Sequence, residues 1–239
     1  MKYIYPTKEA TIRKFAEYLI SFINNNAEEN KKFNIALSGG NTPKLLFKYL
    51  KNNYLNNTDW SFVHFYWGDE RCVPPESDES NYGYAFNLFL NSERIPPKNI
   101  HRIIGESNPD EESNRYSNLI LENIPIENNL PQFDFIMLGL GTDGHTASIF
   151  PNQMELIDSN NICEVAEHPE SGQKRITLTG NVINNARQIS FLVTGQSKSH
   201  IVLNILEKKN SYKSYPASHI QPAKGDISWY LDKEAALLL

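Results

Sequence analysis

This sequence predicts an α/β fold with a parallel or mostly parallel sheet and helices on both faces. Strand-like apolar runs alternate with helical stripes almost throughout, and several of the strands run out into glycine-containing turns. Ile12, Phe15, Ala16, Leu19, Ile20 and Ile23 recur at helical spacing, with Thr7 placed after Pro6 to cap them, so the first predicted element is a helix. After a polar run over residues 24–30, the apolar run 33–37 stops at Ser38-Gly39-Gly40. Thr42-Pro43 then leads into Leu45, Leu46, Tyr49 and Leu50, which reads as strand, glycine turn and helix. The aromatic and β-branched run FVHFYW, residues 62–67, ends at Gly68 and predicts a second strand, with a loop over 69–80 and a helix over about 81–90 beyond it. Strand at 101–104, helix at 109–123 and a buried strand at 133–138 follow, the last entering Gly139-Leu140-Gly141. From residue 162 onward, ICEVA, RITLT and ISFLVT read as strands, 198–207 as helix, and 228–239 as a final strand and helix.

The chain has 239 residues, 40% hydrophobic and 21% charged, with no linker and no internal repeat, and is expected to form one domain over residues 1–239. A net charge of −5 gives no basic surplus for nucleic acid or an anionic membrane, so an anionic ligand would need a local basic cluster. The first twenty residues are interrupted by Pro6 and carry Glu9 and Glu17, unlike a signal peptide, and no later stretch has the roughly 20 apolar residues of a spanning helix. Cys72 and Cys163 lie far apart without metal-site spacing and are expected to be free thiols in a reducing, cytoplasmic setting. The Asn-rich clusters, residues 24–26 and 128–129, read as loop-tip composition and receive no function.

Ligands of open α/β sheets sit beyond the carboxyl ends of the strands, so three loops carry the chemistry. In Ser38-Gly39-Gly40-Asn41-Thr42-Pro43 the glycines allow close backbone approach and the helix start offers free amides. This is either a phosphate-binding loop or an ordinary β-to-α turn. It is not a nucleotide P-loop, whose Lys-Ser/Thr spacing is absent. In Gly68-Asp69-Glu70-Arg71 a guanidinium beside two carboxylates reads either as an anion clamp or as a surface ion-pair cluster.

The third loop runs from Gly139 through Gly141-Thr142-Asp143-Gly144-His145 to Pro151. It nominally satisfies the dinucleotide glycine fingerprint, with Glu164 at the acidic position, which keeps a nicotinamide dehydrogenase as an option. Pro151 interrupts the required helix, however, so the match reads as false. Its distinctive feature is Asp143-Gly144-His145, a histidine suited to general-base work two residues after a carboxylate that can fix its tautomer. Neither a nucleophile-elbow serine nor a His-Glu-x-x-His zinc motif is present, so Ser38 and Ser148 lack the context of a hydrolase nucleophile. His64, His101, His168, His200 and His219 sit in no motif. Arg175 and Lys198 stand alone as sequence signals, although Lys198 follows a strand end.

Taken together, ALSGGNTPKLL, GDERCVP with SNYGYA, FDFIMLGLGTDGHTASIFP, RITLT with Ile183-Asn184, FLVTG with Lys198, and the pattern PAxxIQPxxGxxxWYLDxxAA resemble the lactonase branch of the glucosamine/galactosamine-6-phosphate isomerase family, the 6-phosphogluconolactonases. They occur in the family's order over nearly the whole chain. The resemblance implies a modified Rossmann-like fold shared with glucosamine-6-phosphate deaminase, and hydrolysis of 6-phosphoglucono-δ-lactone to 6-phosphogluconate in the pentose phosphate pathway. The aminosugar deaminase branch shares the Ser-Gly-Gly and Asp-Gly-His loops. It typically has tyrosine where Arg71 stands and continues its histidine loop to a catalytic Glu, whereas here the loop reads Thr146-Ala147-Ser148-Ile149-Phe150-Pro151. A non-catalytic sugar-phosphate sensor is the further alternative, opposed by the intact Asp143-Gly144-His145 and Arg71.

On the lactonase reading His145 is the expected base, Asp143 its partner, and Arg71 a neighbour of C1. Ser38, Gly39, Gly40, Asn41, Thr42, Arg175 and Lys198 would hold the phosphate, and Asp69, Glu70 and Gly144 would support the loops. Asn41 departs from the usual serine but keeps its amide. No metal or cofactor is called for, and the expected protein is a monomer or weak dimer whose partner is a phosphosugar lactone, not nucleic acid or membrane.

Overall fold

In the computed structural model, which describes residues 1–27, 31–222 and 224–239, the elements follow in order. They are β1 (Lys2–Tyr5), α1 (Lys8–Asn25), β2 (Phe33–Leu37), α2 (Asn41–Asn53), β3 (Val63–Trp67), β4 (Asp69–Arg71), α3 (Asn81–Ala85) and α4 (Pro109–Asn123). Then come β5 (Ile126–Glu127), β6 (Leu130–Pro131), β7 (Phe135–Leu138), β8 (Cys163–Glu167), β9 (Lys174–Leu178), α5 (Gly180–Asn184), β10 (Gln188–Val193), α6 (Ser199–Leu206) and β11 (Asp226–Asp232). Six strands form one sheet in the order β1-β11-β10-β7-β2-β3, every neighbouring pair parallel. Strands β2, β7 and β10 inside the sheet and β3 at its edge are buried at every residue, as strands covered on both faces must be.

The predicted stripe is the buried face of α1: Ile12, Phe15, Ala16, Leu19, Ile20 and Ile23 join the core. The Thr7 hydroxyl caps the helix by accepting from the Ala10 amide at 3.2 Å. Phe15 meets Phe135 and Tyr230 edge-on, at 6.2 and 5.1 Å between ring centroids, which fixes α1 over β7 and β11. Helices α1 and α2 pack on each other, and α2 also packs on α3 and the helical turn 86–90 that continues it.

Four departures from the sequence reading have local causes. The chain starts with a strand, not a helix: β1 is four residues long, and its pairing partner β11 lies more than 200 residues away. Residues 101–104 form no strand. One bridge joins Phe65 to Ile100, the His101 amide bonds Phe65 O at 2.8 Å, and the Ile104 amide is taken by the Glu112 carboxylate at 2.7 Å. Part of the expected 69–80 loop is β4, which pairs antiparallel with β9 in a separate three-stranded sheet, β4-β9-β8. The helix expected after the last strand is a series of turns. The end of the polar run, residues 28–30, lies outside the described residues. Both cysteines are free, and among the described residues no helix is long and apolar enough to cross a membrane.

Candidate active site

The connections run from β1 through β2 to β3 in one direction along the sheet and then turn back past β2 to β7, so the strand order reverses between β2 and β7 while the strands stay parallel. A crevice at the carboxyl ends of such strands is where open α/β sheets hold ligands. There the structure has a cavity of about 500 Å³ whose lining includes Ser38, Gly39, Gly40, Asn41, Thr42, Asp69, Arg71, His145, Arg175 and Lys198. All three loops singled out from the sequence therefore reach one space, together with Arg175 and Lys198.

The histidine loop is a tight set of turns, not a helix start, which removes the pyrophosphate seat that a dinucleotide fingerprint needs. Gly141 N bonds His145 O at 2.8 Å, Gly144 N bonds Gly141 O at 3.2 Å, and the Thr146 hydroxyl bonds Gly139 O at 2.9 Å. Ala147, which lines the cavity, is held at φ 48°, a left-handed conformation that costs an L-residue about 1 kcal/mol or more.

Within this loop one Asp143 oxygen, Oδ1, accepts from the His145 amide at 3.1 Å and lies 2.6 Å from His145 Nδ1. Burial pushes the Asp143 carboxyl up, but the hydrogen bond and charge of His145 outweigh it and hold the carboxyl at about 2. An ionised Asp143 fixes the proton on Nδ1, leaving the Nε2 lone pair of this cavity-lining ring free to accept a proton. Substituting Gly141 by alanine tests the arrangement, because a Cβ there would overlap His145 Nδ1 and Asp143 Oδ1. Gly141→Ala is expected to lower kcat about 100-fold or more while KM stays within about threefold, as for a displaced general base. Unaltered kcat in steady-state assays would show that the dyad tolerates displacement.

Register in the small sheet makes Arg71 and Arg175 direct cross-strand partners. The Nε of each is buried without a hydrogen-bond partner, and among the described residues neither has a carboxylate within ion-pairing distance. Arg71 donates from Nη1 to Glu79 O. Arg175 lies over the Phe150 ring at 5.5 Å, and that ring is 4.8 Å from the His145 ring, so the arginines and the histidine share one wall. Burial lowers the Arg175 pKa, opposed chiefly by Asp69, with Arg71 adding like-charge repulsion. Two crowded, unpaired guanidiniums are costly unless an anion completes them.

Asp69 and Glu70 hold the walls together. Asp69 Oδ2 accepts from the Ser148 hydroxyl at 2.6 Å, tying β4 to the histidine loop, and Asp69 O accepts from Asn81 Nδ2 at 2.9 Å. Buried Glu70 accepts from the Arg71, Asn81 and Tyr82 amides and the Ser80 hydroxyl at 2.7–3.0 Å.

Opposite this wall, α2 starts at Gly40, which offers no side-chain cap, whereas Thr7, Ser80 and Asn108 cap α1, α3 and α4. The first amides of α2 are left for a ligand. Gly40 at φ 103° and Gly195 at φ 95° both face open space where a Cβ would stand, and Thr42 Oγ1 meets Thr194 Oγ1 at 2.9 Å, so two glycine turns are joined into one cradle. Asp232 accepts the Gly195 amide at 3.0 and 3.1 Å through its two oxygens. Lys198 closes this side; burial lowers its pKa and Asp143 raises it.

Sequence reasoning missed Asn81, Thr194, Gly195, Asp232 and Lys8, all but Asp232 of them cavity-lining. SNYGYA, FLVTG and WYLD had marked the segments that carry four of them, but only tertiary contacts show what these residues touch. Among the described residues no group of His, Cys, Asp and Glu is arranged to hold a metal.

A doubly wound sheet with a cation-lined cavity at its switch point and a carboxylate-oriented histidine beside it defines an α/β protein that handles a small phosphorylated or carboxylated molecule. Comparison with known proteins narrows the class. A family model described as glucosamine-6-phosphate isomerases/6-phosphogluconolactonase matches residues 6–229, and the chain belongs to that family. It is 44% identical to 6-phosphogluconolactonase of Haemophilus influenzae, with all of both chains covered. The structure of 6-phosphogluconolactonase from Trypanosoma brucei superposes with a TM-score of 0.91 at 28% identity, covering 100% of this chain and 98% of that one. A monomeric glucosamine-6-phosphate deaminase, at 20% identity and TM-score 0.81 with 100% and 99% covered, shares the fold.

Proposed function

We propose that the chain, acting as one domain over residues 1–239, hydrolyses 6-phosphoglucono-δ-lactone to 6-phosphogluconate in the oxidative pentose phosphate pathway. The observation that carries this reading is the Asp143–His145 pair, 2.6 Å apart, beside a cavity lined by Lys8, Arg71, Arg175 and Lys198. A δ-lactone is an activated cyclic ester and needs no covalent nucleophile. His145 Nε2 takes a proton from water as its oxygen attacks C1, and Asp143 stabilises the imidazolium. As the C1–ring-oxygen bond breaks, His145 returns the proton to that oxygen. Arg71 stands by C1 and balances the developing oxyanion. Arg175, the amides of residues 38–42 and Lys198 hold the phosphate. Product carries two anionic ends, a phosphate and a carboxylate, which suits cations on opposite walls. The deaminase reading is disfavoured because no Glu lines the cavity among the described residues and none follows His145 on its loop.

The test is hydrolysis of freshly generated lactone against its spontaneous opening. Acceleration by the wild type that collapses in His145→Ala supports the reading. A folded wild type that gives no acceleration sinks it.

A further inference from the structure

Lys8 is the first residue of α1 and lines the cavity, half-buried. Its place is electrostatically odd. The start of an 18-residue helix carries partial positive charge from its free amides, and acidic or capping residues, such as the neighbouring Glu9 and Thr7, suit that end while a cation does not. Among the described residues no carboxylate lies within ion-pairing distance of Lys8. An unfavourable charge pointed at a cavity implies an anion that it serves.

The backbone shows which end of the cavity Lys8 serves. Tyr5 O, three residues earlier, accepts the Lys233 amide at 2.9 Å, and the adjacent Asp232 holds the Gly195 amide. Gly195 opens the turn Gln196–Lys198. Helix α1 also packs on α2, whose free amides start at the Gly40 cradle. Lys8 is thus tied to the Gly195 and Lys198 side, across the cavity from the wall that carries the Arg71–Arg175 pair. On this side Lys198 is the one other lining cation among the described residues, and Asp143 already draws on its charge, so with Arg175 reaching from the facing wall a phosphate of charge −1.5 to −2 still has room for a further ammonium.

We propose that Lys8 is a substrate-binding residue at the phosphate end, a second ammonium that completes the Gly40–Gly195 cradle and selects phosphorylated lactones. This rests on the lactonase reading. The experiment compares wild type, Lys8→Met and Lys8→Arg, measuring kcat and KM with 6-phosphoglucono-δ-lactone and with unphosphorylated glucono-δ-lactone, and Kd for 6-phosphogluconate and inorganic phosphate by calorimetry. Melting no earlier than wild type serves as the fold check, because removing a cation from the helix start relieves repulsion.

Lys8→Met is expected to raise KM for the phosphorylated lactone about 10- to 100-fold, the range for a lost charged hydrogen bond, with kcat within about twofold. The preference for the phosphorylated over the unphosphorylated lactone falls by the same factor, and Lys8→Arg restores most of it. A KM within about twofold of wild type, equal losses toward both lactones, or a fall in kcat at constant KM would overturn the assignment. Should wild type accelerate neither lactone, the lactonase reading fails on its own. The calorimetry then decides the Lys8 assignment separately: weaker binding of both phosphates by Lys8→Met supports it, and unaltered binding overturns it.

Discussion

His145→Ala is expected to cut kcat for lactone hydrolysis by about 10²- to 10⁴-fold, the contribution of a positioned general base, with KM little affected. KM is expected to hold because the cations and amides proposed to bind substrate lie on other loops. The loss is large because among the described residues the cavity offers no second base of suitable geometry: Asp69, its one lining carboxylate, is tied through Oδ2 to Ser148. Spontaneous opening of the lactone sets the floor and must be subtracted. A fall of less than tenfold in a folded variant would remove His145 from the role. The dyad also has a defined pH reach. A carboxyl depressed to about 2 contributes its stabilisation fully above the ordinary carboxylate range and loses it only as pH falls toward 2, so Asp143 orients His145 unchanged across the neutral range.

Glu70→Gln should be the most damaging substitution of a residue that does not line the cavity. Oε1 accepts the Arg71 and Asn81 amides and Oε2 the Tyr82 amide and Ser80 hydroxyl, so a carboxylate with four donors becomes an amide with one acceptor oxygen. Whichever way the amide turns, its NH₂ faces two donors, each costing about 1–3 kcal/mol when left unsatisfied in a buried site. A loss of about 2–4 kcal/mol in denaturant unfolding is expected, accompanied by a fall in kcat/KM because the Arg71 backbone loses its anchor. Burial does raise the Glu70 pKa, and the three amides oppose it. A variant as stable as wild type would mean that Glu70 binds there as the neutral acid, whose replacement by an amide costs little.

Where the signal is local, the sequence was readable. The α1 stripe, the β2-turn-α2 unit and the Asp143-Gly144-His145 turn are set within a few residues by periodicity, glycine and capping. What stayed hidden depends on partners far along the chain. Arg71 and Arg175 become neighbours only through the β4–β9 register, and nothing around residue 71 announces residue 175. β1 is too short to declare itself and exists because β11 offers it an edge. Residues 101–104 have strand composition, yet the Glu112 carboxylate takes an amide that a ladder would have used. Lys8 carries no local signal, because only the folded chain brings the start of α1 to the cavity.

The position of β11 bears on the order of assembly. It lies between β1 and β10, so among the described residues β1 has as its one neighbour a strand more than 200 residues further along the chain. During synthesis β1 must wait, unpaired, until almost every other element has left the ribosome, a long-range closure of the kind that slows folding. The same late strand ends in Asp232, which fastens the Gly195 turn. A nascent or truncated chain lacking β11 therefore has no Asp232 to fasten the Gly195 turn, and on the proposed reading its phosphate cradle waits for that strand.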